Sequence, residues 1–206
     1  MTHVVTGRMS RAAGGTQRLQ NLVWERRLGI STRGRIAVDH PDAGHYAAMN
    51  YASINRTLAA LQLRRDDVFV DIGCGKGRVL CCAARWTVSK VLGVDLSAEF
   101  CAEARHNAQR ARGMRSPIEV HTGLADEFDY SACTVCFLFS PFGPDTMRKV
   151  LTKIRIDRGA RPVRMAYANP AYPEPFAEQT WLERYDFWDR AQRHEEHSVA
   201  FYRSAL

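Results

Sequence analysis

The chain has 206 residues, 46% of them apolar and 25% charged, which fits one globular domain large enough to bury a core plus a modest extension. No run approaches eighteen apolar residues, and the polar, arginine-bearing stretch from Met1 to Gln20 lacks the apolar segment of a secretory signal, so a cytosolic location is expected. The formal charge of +7 is unevenly placed: Arg8, Arg11, Arg18, Arg26, Arg27, Arg33 and Arg35 face only Glu25 and Asp39 before His40. Residues 1–43 therefore read as a basic extension and 44–206 as the main domain. Such an arm can dock an acidic partner, cap an acceptor pocket, or simply be solvated.

In chain order, Ala47, Tyr51, Ile54, Leu58 and Leu61 recur at the three-and-four spacing of a helix with one buried face. Val68-Phe69-Val70 then reads as a short buried strand ending in glycines, and Val79 to Ala84 as a helix packed closely on a sheet. Lys90 to Val94 predicts a second strand. Ser97 is a credible N-cap for a helix carrying Phe100, Cys101, Ala104, Ala108 and Ala111, stopped by Gly113. Ile118 to Val120, Thr134 to Phe139 and Val163 to Tyr167 supply three more strands, with a helix through Met147, Val150, Leu151 and Ile154. Trp181 to Trp188 and Ser198 to Arg203 predict a closing antiparallel hairpin. The whole is an α/β chain: a Rossmann-like, mostly parallel seven-stranded sheet with helices on both faces, whose ligand belongs beyond the carboxyl ends of the strands.

The six cysteines lie in apolar or glycine-rich segments, which predicts reduced thiols. Cys133 and Cys136 form a C-x-x-C on an expected strand, where side chains three apart point to opposite faces, and no second pair completes a zinc site. Packing is the expectation there, and no metal site is assigned.

The chemistry concentrates in Asp71-Ile72-Gly73-Cys74-Gly75-Lys76-Gly77-Arg78, where strand, glycine turn and helix start follow directly. Glycines let backbone approach a ligand closely, and a helix start presents unpaired amides. A dinucleotide fingerprint needs G-x-G-x-x-G, but Arg78 stands where the third glycine should be; a phosphate loop needs Gly-Lys-Ser/Thr, but Lys76 precedes Gly77 and no hydroxyl follows. Asp71 would repel a pyrophosphate and suits the ammonium of a methionine tail. Asp95, at the end of the second strand, can accept hydrogen bonds from both hydroxyls of a ribose.

D-I-G-C-G-K-G followed by V-L-G-V-D resembles the first two motifs of the class I S-adenosylmethionine (SAM)-dependent methyltransferases, over roughly Gly44 to Tyr202. The resemblance implies SAM as cofactor and S-adenosylhomocysteine as product. It places Gly73, Gly75 and Gly77 at the methionine and ribose side, Asp95 on the ribose and Leu96 over the adenine, with Asp71, Cys74 and Ser140 as further candidate cofactor contacts. Many members carry an acid after the third strand for the adenine amine; here Leu124 holds that place, and Asp126, a backbone carbonyl or packing by Leu124 are the alternatives. Ser140-Pro141-Phe142, after the fourth strand, is similar to the [N/D/S]-P-P-[Y/F] motif of amino-directed members with one proline missing. In that motif the first residue and a following carbonyl hold the target amine and the aromatic stacks on a planar group. Tyr46, Asn50 and Tyr51, on the first helix, can roof the cofactor or meet the acceptor, or serve helix packing.

Methyl transfer needs an in-line approach of the two reactants, so register between them supplies much of the catalysis. For a hydroxyl acceptor, His40, His45 and His121 are candidate bases. The sequence favours transfer to nitrogen or oxygen of a small molecule. Protein (lysine) methylation is the alternative, since the glycine-loop region also resembles non-SET lysine methyltransferases and the basic arm would dock the substrate. A non-catalytic SAM-binding protein is the third reading, nucleic acid is less favoured without an aromatic platform, and no membrane partner is expected.

Overall fold

The structure is a computed structural model and describes residues 18–33, 48–193 and 196–205. Seven helices and seven strands are found there: α1 (residues 18–28), α2 (Tyr51–Ala60), β1 (Val68–Ile72), α3 (Arg78–Ala83), β2 (Lys90–Asp95), α4 (Ala98–Arg110), β3 (Ile118–Thr122), β4 (Val135–Phe139), α5 (Pro144–Arg158), β5 (Arg164–Ala168), α6 (Glu174–Ala177), β6 (Leu182–Trp188), α7 (Arg190–Arg193) and β7 (Val199–Ser204). Among the described residues no helix is long and apolar enough to cross a membrane.

The strands form one sheet in the order β3-β2-β1-β4-β5-β7-β6. β1 to β5 are parallel, and β7 inserts antiparallel between β5 and β6. The sequence order reverses between β1 and β4, where open parallel sheets leave a crevice at their carboxyl ends. That crevice is flanked by the glycine turn after β1 and by Ser140 after β4.

Alternation along the strands divides the core in two. Phe69 and Phe137 face α1, α2 and α3 together with Leu28, Ile54, Leu58 and Leu80; Val70, Ile72, Cys136 and Leu138 face α5 and α6 with Met147, Val150, Leu151 and Phe176. Burying each such side chain contributes about 1.5–3 kcal/mol. Leu28 and Ile30 belong to the first of these clusters, so within the described residues the N-terminal segment is built into the domain although the sequence places its boundary near residue 44.

Local chemistry sets the helix ends. Asn50 caps α2 by accepting from the Ser53 amide, and Ser97 caps α4 by accepting from the Phe100 amide. α4 stops at Arg110, three residues before Gly113, because Ala111 turns to an extended conformation. One orientation differs from expectation: Cys133 precedes β4 rather than lying on it, so its sulfur meets that of Cys136 at 3.2 Å inside the α5 face of the core instead of pointing to the other side. Both thiols are buried, as is every cysteine of the chain.

Candidate active site

The turn after β1 is bound to β2 by three of its backbone amides. The Gly73 and Cys74 amides donate to the Val94 carbonyl at 2.8 and 3.1 Å, and the Gly75 amide donates to Asp95 Oδ2 at 2.8 Å. The Ser97 amide takes the other oxygen of Asp95, Oδ1, at 2.9 Å. Gly73 has φ +76°, a conformation open to glycine, and a Cβ there would lie 2.5 Å from the Pro141 Cβ. Pro141, after β4, therefore packs directly on the glycine turn. Gly73 is exposed, whereas Gly75 and Gly77 are buried; a Cβ on Gly77 would meet that of Ala104 at 3.1 Å, so this glycine brings α3 against α4.

Asp71 is 3% exposed, and no hydrogen bond reaches its carboxylate among the described residues. Burial, and next the neighbouring charge of Asp95, push its pKa well above the ordinary carboxylate range. Burial also raises Asp95, against the opposing pull of the Ser97 and Gly75 amides. Two desolvated carboxylates of like charge flank the turn, one without a hydrogen-bond partner among the described residues and the other with one backbone amide on each oxygen. A cation beside Asp71 and a diol on Asp95 relieve both penalties, which is the fit expected for the amino-acid tail and ribose of SAM.

The remaining expected cofactor residues divide. Leu96 and Leu124 are both 40% exposed at the adjoining ends of β2 and β3, where the Gly123 amide donates to the Asp95 carbonyl at 3.0 Å. Two large apolar side chains left open to solvent there suit contact with a planar ring. The Cys74 sulfur instead lies under the turn against Gly93, so any contact of this residue with a ligand is through its backbone. Tyr51 is fully buried, stacked on Trp24 at 5.8 Å with the Arg78 guanidinium 4.8 Å over its ring. Both faces of that ring are covered, as in a residue that packs α2 against α1 and α3. Tyr46, His40 and His45 lie outside the described residues, and His121 is half exposed at the β3 end with its ring edge-on to Phe128.

On the acceptor side, Ser140 has φ +39° and Asn169 φ +50°, two non-glycine residues in the left-handed region at the ends of β4 and β5. Such a conformation costs roughly 1–2 kcal/mol per residue and clusters at functional sites. The Ser140 hydroxyl donates to the Asn169 carbonyl, and Asn169 Nδ2 lies 3.4 Å from Ser140 Oγ. Phe142 is half buried against the α5 face of the core. Sequence reasoning missed Asn169, although Asn169-Pro170-Ala171-Tyr172 repeats the polar-proline-x-aromatic pattern at the end of another buried strand. It also missed Glu196 and His197, which reach this side through the β7 pairing.

The N-terminal segment is stapled to the turn. Glu25, 2% exposed, accepts from the Thr32 amide and hydroxyl, from Arg33 Nε and from Arg78. Asn107 of α4 bridges both backbone groups of Ser31 to the Lys76 carbonyl.

A methyltransferase-domain family model matches residues 69–156, from β1 into α5. A protein-lysine N-methyltransferase of Saccharolobus islandicus is 30% identical over 111 residues, 53% of this chain and 68% of that protein. Among solved structures, an RNA methyltransferase from Salinibacter ruber in complex with S-adenosylhomocysteine aligns with a TM-score of 0.58 at 22% identity, over 77% of this chain and 92% of that one. A SAM-dependent O-methyltransferase from Thermotoga maritima aligns with a TM-score of 0.60 at 16% identity, over 78% and 68%. With the strand order, the glycine turn between two acids and these likenesses together, the chain belongs to the class I SAM-dependent methyltransferases.

Proposed function

We propose that this enzyme methylates an amine nitrogen, and that the amine is a lysine side chain of a protein. The observation that carries the first part is the joined pair Ser140 and Asn169, neutral polar groups held in left-handed backbone at the mouth of the crevice. A hydroxyl and an amide can accept N–H bonds without adding a charge beside a cationic cofactor. The 30% identity to a lysine N-methyltransferase supports the choice of lysine over the small-molecule acceptor favoured by the sequence.

When bound, SAM supplies an electrophilic methyl group on a sulfonium. Asp71 would hold its ammonium, Asp95 its ribose, and Leu96 and Leu124 its adenine, while Gly73 and Pro141 shape the floor between the cofactor and acceptor sides. The protein's share of the chemistry is orientation: Ser140, Pro141 and Phe142 leave β4 beside the glycine turn and fix the line along which the acceptor nitrogen arrives.

The test is incubation of the full chain with methyl-labelled SAM and cell extract, resolved into protein, nucleic-acid and small-molecule fractions. Label in protein, stable to alkali and recovered as methyl-lysine after hydrolysis, is expected. Label confined to the small-molecule fraction returns the acceptor to that class, and label in nucleic acid overturns the reading.

A further inference from the structure

We propose that His197 is the proton acceptor on the acceptor side of this site, positioned by Glu196 and Asn50. β7 runs antiparallel to β5, so the residues just before it arrive at the carboxyl ends of β4 and β5. The Asn169 amide donates to the Ser198 carbonyl at 2.8 Å, fixing that arrival. The His197 ring then packs edge-on to Phe139 with centroids 4.8 Å apart, and Phe139 is the residue immediately before Ser140.

The turn is held from a second direction. Glu196 Oε2 accepts from both the backbone amide and Nδ2 of Asn50, at 3.2 and 2.7 Å, which ties it to the N-cap of α2 across 146 positions of sequence. His197 Nε2 lies 3.7 Å from the same carboxylate oxygen. The ring is thus confined between Phe139 and Glu196, with 22% of the side chain still exposed as a route to solvent.

Burial lowers the pKa of His197, Glu196 opposes and the charge of Arg190 on α7 adds to the lowering. Among the described residues those are the charged groups acting on it; β4 and α2 present Phe139 and Asn50, which do not titrate. The lowering favours the uncharged imidazole, which offers a lone pair, and Glu196 is placed to stabilise the imidazolium once formed. In the step, the N–H bond of the acceptor ammonium breaks and its electron pair stays on nitrogen. The proton forms a new N–H bond on the ring and passes from there to water. The assignment rests on the amine reading only in requiring a proton on the accepting atom, and a hydroxyl acceptor would satisfy it equally.

The experiment replaces His197→Gln in the full chain. Expected are a fall in kcat of about 10²–10⁴-fold, S-adenosylhomocysteine affinity within about two-fold of the parent, and loss of the acid limb of the kcat profile. Glu196→Gln should move that limb to lower pH without removing it. In the parent complex with S-adenosylhomocysteine, the His197 imidazole resonance should shift on adding a lysine peptide. A His197→Gln enzyme within about three-fold of the parent kcat, or one that loses cofactor affinity along with activity, overturns the assignment. If the parent methylates a hydroxyl and no amine, the amine reading fails by itself, and His197→Gln is scored on the hydroxyl acceptor.

Discussion

Lys76 Nζ donates to the backbone carbonyl of Arg33 at 2.9 Å, so a residue of the glycine turn grips a residue 43 positions before it. Two positions on, Arg78 donates to Thr32 Oγ1 at 2.7 Å and to the Met49 carbonyl at 2.9 Å. The shape of the cofactor turn and the seating of the N-terminal segment are therefore one structure, centred on buried Glu25.

Removing that centre should cost both stability and affinity. Glu25→Ala leaves Arg78 buried without its counter-charge, and breaking a buried pair from one side costs about 3–5 kcal/mol. Urea denaturation should show a loss in that range, with weaker S-adenosylhomocysteine binding where the variant is folded. A loss below about 1 kcal/mol would mean that the segment does not brace the turn.

Asp71 should trade stability for binding. Its folded pKa is raised, so the folded chain is favoured, relative to high pH, below the ordinary carboxylate range, and this advantage is lost as pH rises through the folded value. Asp71→Asn removes the ionisation. The ligand-free variant should melt higher than the parent at pH 7, with the difference shrinking toward pH 3.5, while cofactor affinity falls at least about ten-fold. Equal melting temperatures at pH 7 would contradict the assigned burial penalty.

Two glycines of nearly equal φ separate strain from contact. Gly73→Ala adds a Cβ 2.5 Å from Pro141, whereas Gly113, φ +74°, has nothing within 4 Å of the added atom. Gly113→Ala should cost only the left-handed penalty of about 1–2 kcal/mol. Gly73→Ala should cost more than that and also reduce kcat, because the turn and the end of β4 must separate.

At the opposite end of the sheet, Arg164 Nη2 donates to both Asp67 oxygens, at 2.7 and 2.6 Å. Burial alone would raise this carboxyl, but the Arg164, Arg64 and Thr134 hydrogen bonds outweigh it and hold the pKa below its usual value. A lowered folded pKa stabilises above the ordinary range and is lost as pH falls through the folded value. Asp67→Asn should therefore cost about 1–3 kcal/mol at pH 7 and much less near pH 2, read from denaturation at each pH.

The parallel half of the sheet was legible because most of its strands are short apolar runs buried on both faces, and because the Ser97 cap marks the start of α4. The cofactor side was legible because Asp71, the glycines and Asp95 lie within 25 consecutive residues of a strand-turn-helix-strand unit. Other features depend on distant pairing. Nothing local to Glu196 or His197 announces a meeting with Asn50 or Phe139; that follows from β7 entering between β5 and β6. Tyr51 carries the spacing of a buried face, but only the placement of Trp24 and Arg78 decides that both sides of its ring are covered. The facing of Cys133 and Cys136 turned on where β4 begins, and strand ends are poorly marked by apolar periodicity.

The central claim is that a cationic tail and a sugar diol occupy the crevice beside Asp71 and Asp95. Calorimetric titration of the parent chain and of Asp95→Ala, each with S-adenosylhomocysteine, NAD and ATP, tests it most directly. The account predicts saturable binding of S-adenosylhomocysteine to the parent, a loss of at least about ten-fold in Asp95→Ala, and no comparable uptake of the two phosphate ligands. Tight binding of NAD or ATP with none of S-adenosylhomocysteine would contradict it.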